Sequence, residues 1–393
     1  MKFSNRIDRL PPFLFAELRR KISKMRVSGI DVISLGAGDP DQPTPRQVIS
    51  SACDAIQQPI NHQYPENIGK FEFREAVAEF MKFRFNVELN SEKEIYPVLG
   101  GKEAIHHLAI LFLMEGDICL SPSPGYPPYR SAPILAGSKV YPLPLEEKNN
   151  FLPDFSEIPS DVLNNANLLY LNYPNNPTGA IATEEFFLSV IQFAKNNNIA
   201  VVHDNSYSEI SFDGYKPISF LQTKGAMDVG VEVFSLSKGW NMTGWRVGWM
   251  AGNPEIIERY AHLKPNIDSG IFGAIQSGAI SALNEARDFP IYMSEIYQKR
   301  RDLMIKTLTN LGISVKPQLA TPFIWAKTPK GYSSMEFANL ILEKAAVVVS
   351  PGNSFGKHGE GYFRIALMAD DKLIAEAALR IEAALKVNSI ITS

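Results

Sequence analysis

The chain reads as an α/β protein of two units, and three observations predict this. Its 393 residues exceed the roughly 250–300 over which a single core normally grows. Through the middle of the chain, short β-branched runs alternate with helical periodicity, the pattern of a mostly parallel sheet with helical crossovers. After about residue 285 the texture changes to long polar-faced stretches around a few isolated strands, the pattern of a smaller α+β unit.

Taken in order, the first forty or so residues, including Pro11-Pro-Phe-Leu-Phe15, are expected to pack with the smaller unit. Residues 46–284 then form the large unit, and residues 1–45 with 285–393 the small one. Asp117–Ser121, Asn167–Leu171, Ile199–His203, Val231–Ser235 and Arg246–Gly252 read as buried strands of the mostly parallel sheet. Between two of them, Glu184–Lys195 places apolar residues at helical spacing behind Thr183, a capping residue. The small unit offers a helical stretch from Tyr292 to Leu311, a strand Phe323–Lys327 and a helix near Met335–Lys344. Strands Val347–Ser350 and Tyr362–Leu367 follow, with a closing helix Asp371–Lys386.

Composition excludes several classes. With 45% hydrophobic residues, 39 basic against 42 acidic side chains and a net charge of -3, no polyanion partner is indicated, so nucleic-acid binding is not expected. Residues ahead of Gly36 are too few for an added DNA-binding domain. Cys53 and Cys119 lack metal or disulfide spacing, and adjacent His106 and His107 cannot share a helix face, so no metal site is expected. No secretory leader or membrane-spanning apolar run is evident, which fits a reducing cytoplasm.

The chemistry concentrates at the ends of the strands. Behind Val231–Ser235 runs Ser235-Leu-Ser-Lys-Gly-Trp-Asn-Met-Thr-Gly-Trp-Arg246, one lysine among hydroxyls with an arginine eight positions on. Lys238 there could form an imine with a carbonyl cofactor, while Ser235, Ser237 and Arg246 offer donors to a phosphate; a surface loop is the rival reading. Asn172-Tyr-Pro-Asn-Asn-Pro-Thr-Gly179 makes a sharp turn at the carboxyl edge of the sheet, where open α/β sheets bind ligands, and Asn176 could hold a ring oxygen. Asp204 ends the next strand, with Tyr207 three residues on; a carboxylate there could pair with a pyridinium nitrogen or simply cap the loop.

Gly101-Lys102 opens a helical pattern that could present backbone donors to a phosphate. Tyr126 lies on a proline-bounded turn, to stack on a planar ring or to pack. Gly38 lies where proline blocks a helix, which rejects a dinucleotide fingerprint and suggests close backbone approach to a ligand. Arg364 sits inside an apolar strand and must find an anion, either a substrate carboxylate or a structural partner.

In this order the set Gly38, Tyr64, Gly101-Lys102, Tyr126, Asn176, Asp204 with Tyr207, Ser235-x-Ser237-Lys238, Arg246 and Arg364 resembles the class I/II aminotransferases, pyridoxal 5'-phosphate (PLP) enzymes of fold type I, over nearly the whole chain. The resemblance implies a large domain with a mostly parallel seven-stranded sheet between helices and a smaller α+β domain. It also implies a ping-pong exchange of an amino group between an amino acid and a 2-oxo acid. Lys238 would bind the cofactor and move the α-proton, with Asp204 on the ring nitrogen, Asn176 and Tyr207 on the ring oxygen, and Tyr126 stacked on the ring. Ser235, Ser237, Arg246 and the Gly101-Lys102 backbone would cradle the phosphate. Tyr64 would reach the phosphate of a neighbouring subunit, implying a homodimer with shared sites, and Arg364 with Gly38 would hold the substrate carboxylate.

Leu35–Pro45, His203–Gly214, Asn241–Arg246 and Asn266–Phe272 further resemble the LL-diaminopimelate branch of lysine biosynthesis, implying LL-diaminopimelate and 2-oxoglutarate as the substrate pair. A general aspartate or alanine aminotransferase, or a β-eliminating lyase, would share the ring-holding residues. The chain departs from that branch at Phe13, where a hydroxyl-bearing aromatic is frequent, at Gly239-Trp240 and at Gly100-Gly-Lys. Phe13, Asn176 and Ser269 join Gly38 and Arg364 as substrate contacts in this reading.

Overall fold

The computed structural model describes residues 1, 3–10 and 15–387. Twelve strands lie among them: β1 (Ile33–Ser34), β2 (Ile95–Val98), β3 (Ile118–Ser123), β4 (Lys139–Pro144), β5 (Ala166–Asn172), β6 (Ala200–Asp204), β7 (Gly230–Ser235), β8 (Gly248–Gly252), β9 (Phe323–Lys327), β10 (Val347–Val348), β11 (Ser350–Pro351) and β12 (Tyr362–Ala366). Seven of them form one sheet in the order β2-β8-β7-β6-β5-β3-β4. All neighbours are parallel except at β8, which runs antiparallel to both β7 and β2.

Strand alternation builds a core on each face of this sheet. Leu169, Leu171, Val201, Phe234 and Trp249 point to one side, where they meet Phe73, Phe80 and Phe187. Leu168, Tyr170, Val202, Val231, Val233 and Met250 point to the other, against Ile105, Leu108 and Tyr129. Successive residues on opposite faces, both buried, explain why these strands read as continuous apolar runs. The β5–β6 crossover is the helix Glu184–Asn197, whose first turn is closed by Thr183 accepting from the Phe186 amide at 3.2 Å. Phe187, Val190, Ile191 and Ala194 form its buried stripe.

The sequence places Arg246–Gly252 within the parallel set. In the structure the strand starts only at Gly248, two residues past Arg246 with its left-handed φ of 54°, and is antiparallel. The connection from β7 holds a single helical turn, Leu236–Gly239, too little to carry the chain back for a parallel crossover. The pattern also missed β2 and β4, the two edge strands.

A second core joins both parts of the remaining chain. β1 pairs in parallel with β10, Ile33 opposite Val347, while β11, β12 and β9 form an antiparallel sheet. Ile33 and Leu35 are buried with Ile365 of β12 and with Met293, Tyr297, Phe337 and Ile374 from the long helices Phe289–Asn310, Ser334–Ala345 and Asp371–Val387. The amino-terminal segment divides. Arg6 and Arg9 instead donate to the carbonyls of Leu135 and Ser138, at 3.3 and 2.7 Å, at the helix Pro128–Ala136 beside the large sheet. No helix among the described residues is long and apolar enough to cross a membrane.

One buried ion cluster anchors the helix Gly101–Phe112. Lys264, fully buried, reaches Glu103 at 2.9 Å and Asp268 at 2.7 Å; Glu103 also accepts from Tyr260 and from the Leu99 amide. Burial alone would raise the Glu103 carboxyl, but His107, Lys264 and Tyr260 outweigh it and hold the pKa at about 2. Glu103, His107 and Asp268 lie close enough to suggest a metal site, yet the Lys264 ammonium supplies the positive charge there. Replacing Lys264 with methionine strands two carboxylates, so Lys264→Met is expected to cost about 3–5 kcal/mol in urea-unfolding stability. A loss below about 1 kcal/mol would show that the cluster is not holding the helix.

Candidate active site

The carboxyl ends of the parallel strands deliver side chains to one cavity of ≈ 410 Å³. Its walls include Gly38, Tyr126, Asn176, Tyr207, Lys238 and Arg364, brought from positions over three hundred residues apart. Ile22, Phe323 and Phe355 supply apolar surface.

Lys238 follows β7 in a one-turn helix capped by Ser235, whose hydroxyl accepts from the Ser237 amide at 3.2 Å. Its ammonium donates to the Gly38 carbonyl and has no ion-pair partner among the described residues. Burial lowers its pKa to about 8, with Arg364 and Arg246 adding to the fall and Asp39 opposing it. A buried amine that gives up its proton more readily than an ordinary lysine can act as nucleophile and as base.

Arg364, on β12, is also buried without a carboxylate. Its Nη1 donates to Asn176 Oδ1 and its Nη2 to the Gly36 carbonyl, each at 2.8 Å, while Nε has no partner. Phe323 and Phe355 flank the guanidinium at 4.2 and 4.7 Å from their ring centres. Burial pulls its pKa down to about 10. A buried guanidinium bonded only to neutral oxygens is an anion site.

Asn176 turns its other atom, Nδ2, to the Tyr207 hydroxyl at 3.5 Å, and its backbone amide is held by Asn172 Oδ1 at 2.8 Å. Burial raises the Tyr126 phenol to about 12, with Asp204 adding to the rise. Asp204 lies at the tip of β6, 4% exposed. Burial raises its pKa against the hydrogen bonds from Ser206 and Tyr129. Tyr129 donates to Oδ2 at 2.7 Å and Ser206 to Oδ1 at 2.5 Å. Neither Tyr129 nor Ser206 stands out in the sequence; both lie within motifs whose other members attract notice first.

Beside this group, Arg246 crosses the amino end of the Gly101–Phe112 helix, donating to Thr243 and Leu99 carbonyls at 2.8 and 3.3 Å. Gly100 has φ 80°, and a Cβ there would sit 2.6 Å from the Arg246 guanidinium. The first amides of the helix, at Gly101 and Lys102, lack partners within it and face outward with the helix dipole. Ser206 Oγ lies within 3.5 Å of where a Gly101 Cβ would be. The Lys102 side chain itself is exposed.

Several expected contacts lie elsewhere. Tyr64 is 94% exposed and Ser269 is exposed, and neither lines the cavity of its own chain. Phe13 lies outside the described residues. Trp240, a point of departure from the diaminopimelate branch, is 1% exposed in the core, donating to the Ala286 carbonyl at 2.9 Å and edge-on to Phe80. The Gly239-Trp240 difference is therefore a packing difference and not a change in the cavity wall.

An unpaired amine, an unpaired guanidinium, a buried carboxylate and a helix-end anion cradle at the edge of an α/β sheet define an enzyme that handles an anionic cofactor and a carboxylate substrate. Residues 30–381 match the family model for aminotransferase class I and II, and the chain belongs to that family. It is similar to the LL-diaminopimelate aminotransferases of Dehalococcoides mccartyi strain 195, 47% identical over 97% of this chain and 98% of that one, and of Halothermothrix orenii, 48% identical over the same shares. Among solved structures it is similar to substrate-bound BacF from Bacillus subtilis, with TM-score 0.93, 35% identity and 98% of each chain covered. An aspartate aminotransferase mutant of Thermus thermophilus gives TM-score 0.91 at 26% identity, covering 98% of this chain and all of that one.

The protein is a PLP-dependent aminotransferase acting on amino acids and 2-oxo acids. Its residues fit the cofactor. Lys238 is a buried amine without an ion-pair partner among the described residues, Arg364 keeps an orphaned Nε, and the glycines at the Arg246 cradle leave the space that side chains would fill.

Proposed function

We propose that this enzyme transfers an amino group from LL-diaminopimelate to 2-oxoglutarate, as a homodimer in the cytoplasm. The observation that carries the aminotransferase chemistry is the pair of uncompensated buried cations, Lys238 and Arg364, facing one cavity. The substrate pair rests on full-length identity of 47–48% to LL-diaminopimelate aminotransferases.

In this reading Arg364 grips the α-carboxylate through its free guanidinium edge, with the Gly38 backbone alongside. Lys238, released from the Gly38 carbonyl, holds and moves the proton at the substrate α-carbon. Asp204, oriented by Tyr129 and Ser206, would pair with the ring nitrogen. Asn176 and Tyr207 would donate to the ring oxygen, Tyr126 would cover the ring face, and Ser235, Ser237, Arg246 and the amides of Gly101 and Lys102 would hold the phosphate. When bound, PLP supplies a protonated ring that accepts the electrons freed at the α-carbon. The apolar walls formed by Ile22, Phe323 and Phe355 exclude water and strengthen each charge.

The dimer reading rests on exposed apolar residues. Tyr64 and Ile60 stand 94% and 70% exposed, and Ile267 and Phe272 are exposed on an adjoining loop. The segment carrying Tyr64 packs on that loop, since a Cβ at Gly270 would lie 2.2 Å from the Glu66 carbonyl and Lys70 binds Gln276. One face thus presents Tyr64 and Ser269 outward, which supports their assignment to a partner's site. The free cysteines, Cys53 exposed and Cys119 buried, accord with a reducing compartment.

Mixing the purified enzyme with LL-diaminopimelate, aspartate, alanine or methionine in turn, and following conversion of the bound cofactor to its amine form by absorbance, tests the donor. LL-diaminopimelate should convert it fastest. Conversion by aspartate or alanine but not by LL-diaminopimelate would overturn the substrate reading, and pyruvate with ammonia but no glutamate would indicate elimination. The Lys238 amine must be neutral to capture the cofactor. With its pKa at about 8, uptake of PLP by the apo enzyme should accelerate as pH rises from 7 to 9 and level off above that. A rate still rising steeply at pH 10 would mean that the amine is not shifted.

A further inference from the structure

On the face of the sheet opposite Asp204 lies a second buried polar group, one that the transamination chemistry leaves unused. His203 on β6 and Glu232 on β7 are register partners, both fully buried. His203 Nδ1 meets Glu232 Oε1 at 2.8 Å. The same Oε1 accepts from Asn205 Nδ2 at 2.8 Å and from the Phe220 amide at 2.9 Å, and the Ser219 hydroxyl donates to Oε2. The other ring nitrogen, His203 Nε2, accepts from the Tyr173 amide at 3.1 Å.

That last bond fixes the chemistry of the ring. A backbone N–H can only donate, so Nε2 must be a bare lone pair and the imidazole neutral, with its one proton on Nδ1. Glu232 is then a carboxylate satisfied by four neutral donors, and the pair is a directed relay of hydrogen bonds and not a salt bridge.

The bond also fixes the turn that carries Asn176. Pro174 and Pro177 have no N–H, which leaves five backbone donors between residues 173 and 179. Asn175 bonds to the Ala180 carbonyl, Asn176 to Asn172 Oδ1, Thr178 to Asn175 Oδ1 and Gly179 to the Asn175 carbonyl, all within the turn or next to it. Only the Tyr173 amide is held by a distant part of the chain, and what holds it is His203. Asn172, one residue earlier, donates to the Asp204 carbonyl at 2.8 Å, so the two strand ends are tied from both faces of the sheet.

We propose that His203 and Glu232 are positioning residues for transamination: a neutral, Nδ1-protonated imidazole, oriented by a buried carboxylate, sets the turn that places Asn176 and holds it in register with Asp204. The proposal rests on the assignment of Asn176, Asp204 and Lys238 to the cofactor. Neither His203 nor Glu232 touches the cavity, so their effect passes through the backbone. The pair is also costly for mere stability, because a buried polar network of this kind is at best as stabilising as well-packed apolar side chains.

The test uses the holoenzyme and the variants His203→Gln, His203→Leu and Glu232→Gln. For the variants, kcat should fall by about tenfold to a hundredfold with KM within about twofold. The pH midpoint of the visible absorbance of the bound cofactor should move by about half a unit or more, and cofactor retention in dialysis should weaken. His203→Gln, which keeps an acceptor and a donor, should retain more activity than His203→Leu. In the ¹⁵N spectrum of histidine-labelled wild type, one ring should show the Nδ1-H tautomer, and its signal should vanish in His203→Gln. Variants that fold and keep kcat, absorbance midpoint and cofactor retention would overturn the proposal, as would a His203 ring that carries its proton on Nε2. If the leucine variant does not fold, the wild-type ring signal and the glutamine variants decide. Lys238→Ala separates the two levels: loss of turnover there with unchanged His203 and Glu232 variants sinks this proposal alone, whereas retained turnover in Lys238→Ala sinks the site assignment beneath it.

Discussion

Replacing Lys238 with alanine is expected to lower kcat by about a thousandfold or more, since it removes the cavity-lining amine proposed to take the α-proton. The same change should abolish the visible absorbance of the lysine-bound cofactor while leaving the fold intact, because Lys238 makes a single hydrogen bond, to the Gly38 carbonyl. Stopped-flow half-reactions on both proteins would measure the loss. An unchanged absorbance spectrum in Lys238→Ala would remove Lys238 from the site. Added methylamine, small enough to enter the vacated space, should restore part of the rate.

The second large effect is expected at Arg364. Arg364→Gln removes the guanidinium proposed to grip a carboxylate, at an expected cost of about 2–5 kcal/mol, or roughly thirtyfold to several thousandfold in kcat/KM. Most of it should appear in KM, because the grip acts on substrate before and during reaction. An amine without a carboxylate offers the internal control: its slow reaction with the bound cofactor should change by no more than a few-fold. Equal losses for amino acids and for such an amine would mean that Arg364 supports the fold and not the substrate. Phe323 and Phe355, which face the guanidinium, should keep the pocket closed in either protein.

How far the sequence reveals this molecule depends on which signals act locally. The five central strands are legible because both of their faces are buried, which forces unbroken apolar runs. β2 and β4 are not, since Pro97 and then Pro142 with Pro144 interrupt the pattern on these edge strands. The connection that leads into the reversed β8 holds two left-handed residues, Asn241 and Arg246, and no residue preference announces that for an arginine. Among the site residues, Lys238, Asn176, Asp204 and Arg364 can be picked out because a charge or amide at the end of an apolar strand conflicts with its surroundings. Tyr129, Ser206, His203 and Glu232 matter through partners 2 to 75 positions away, and tertiary contacts of that kind leave no periodic trace.

The Arg364 guanidinium donates to the carbonyl of Gly36, 328 positions earlier, and Ser350 secures the same carbonyl at 3.0 Å. The proposed substrate clamp is therefore stitched from the two ends of the polypeptide. A ribosome that has released everything through residue 284 has made every strand of the large sheet, the Lys264 that anchors the Gly101–Phe112 helix and every residue proposed to touch the cofactor, yet not Arg364. Cofactor capture would then precede the last 109 of the 393 residues, whereas substrate recognition would wait for them. A nascent or carboxyl-terminally clipped chain would then be able to sequester cofactor without turning over amino acids.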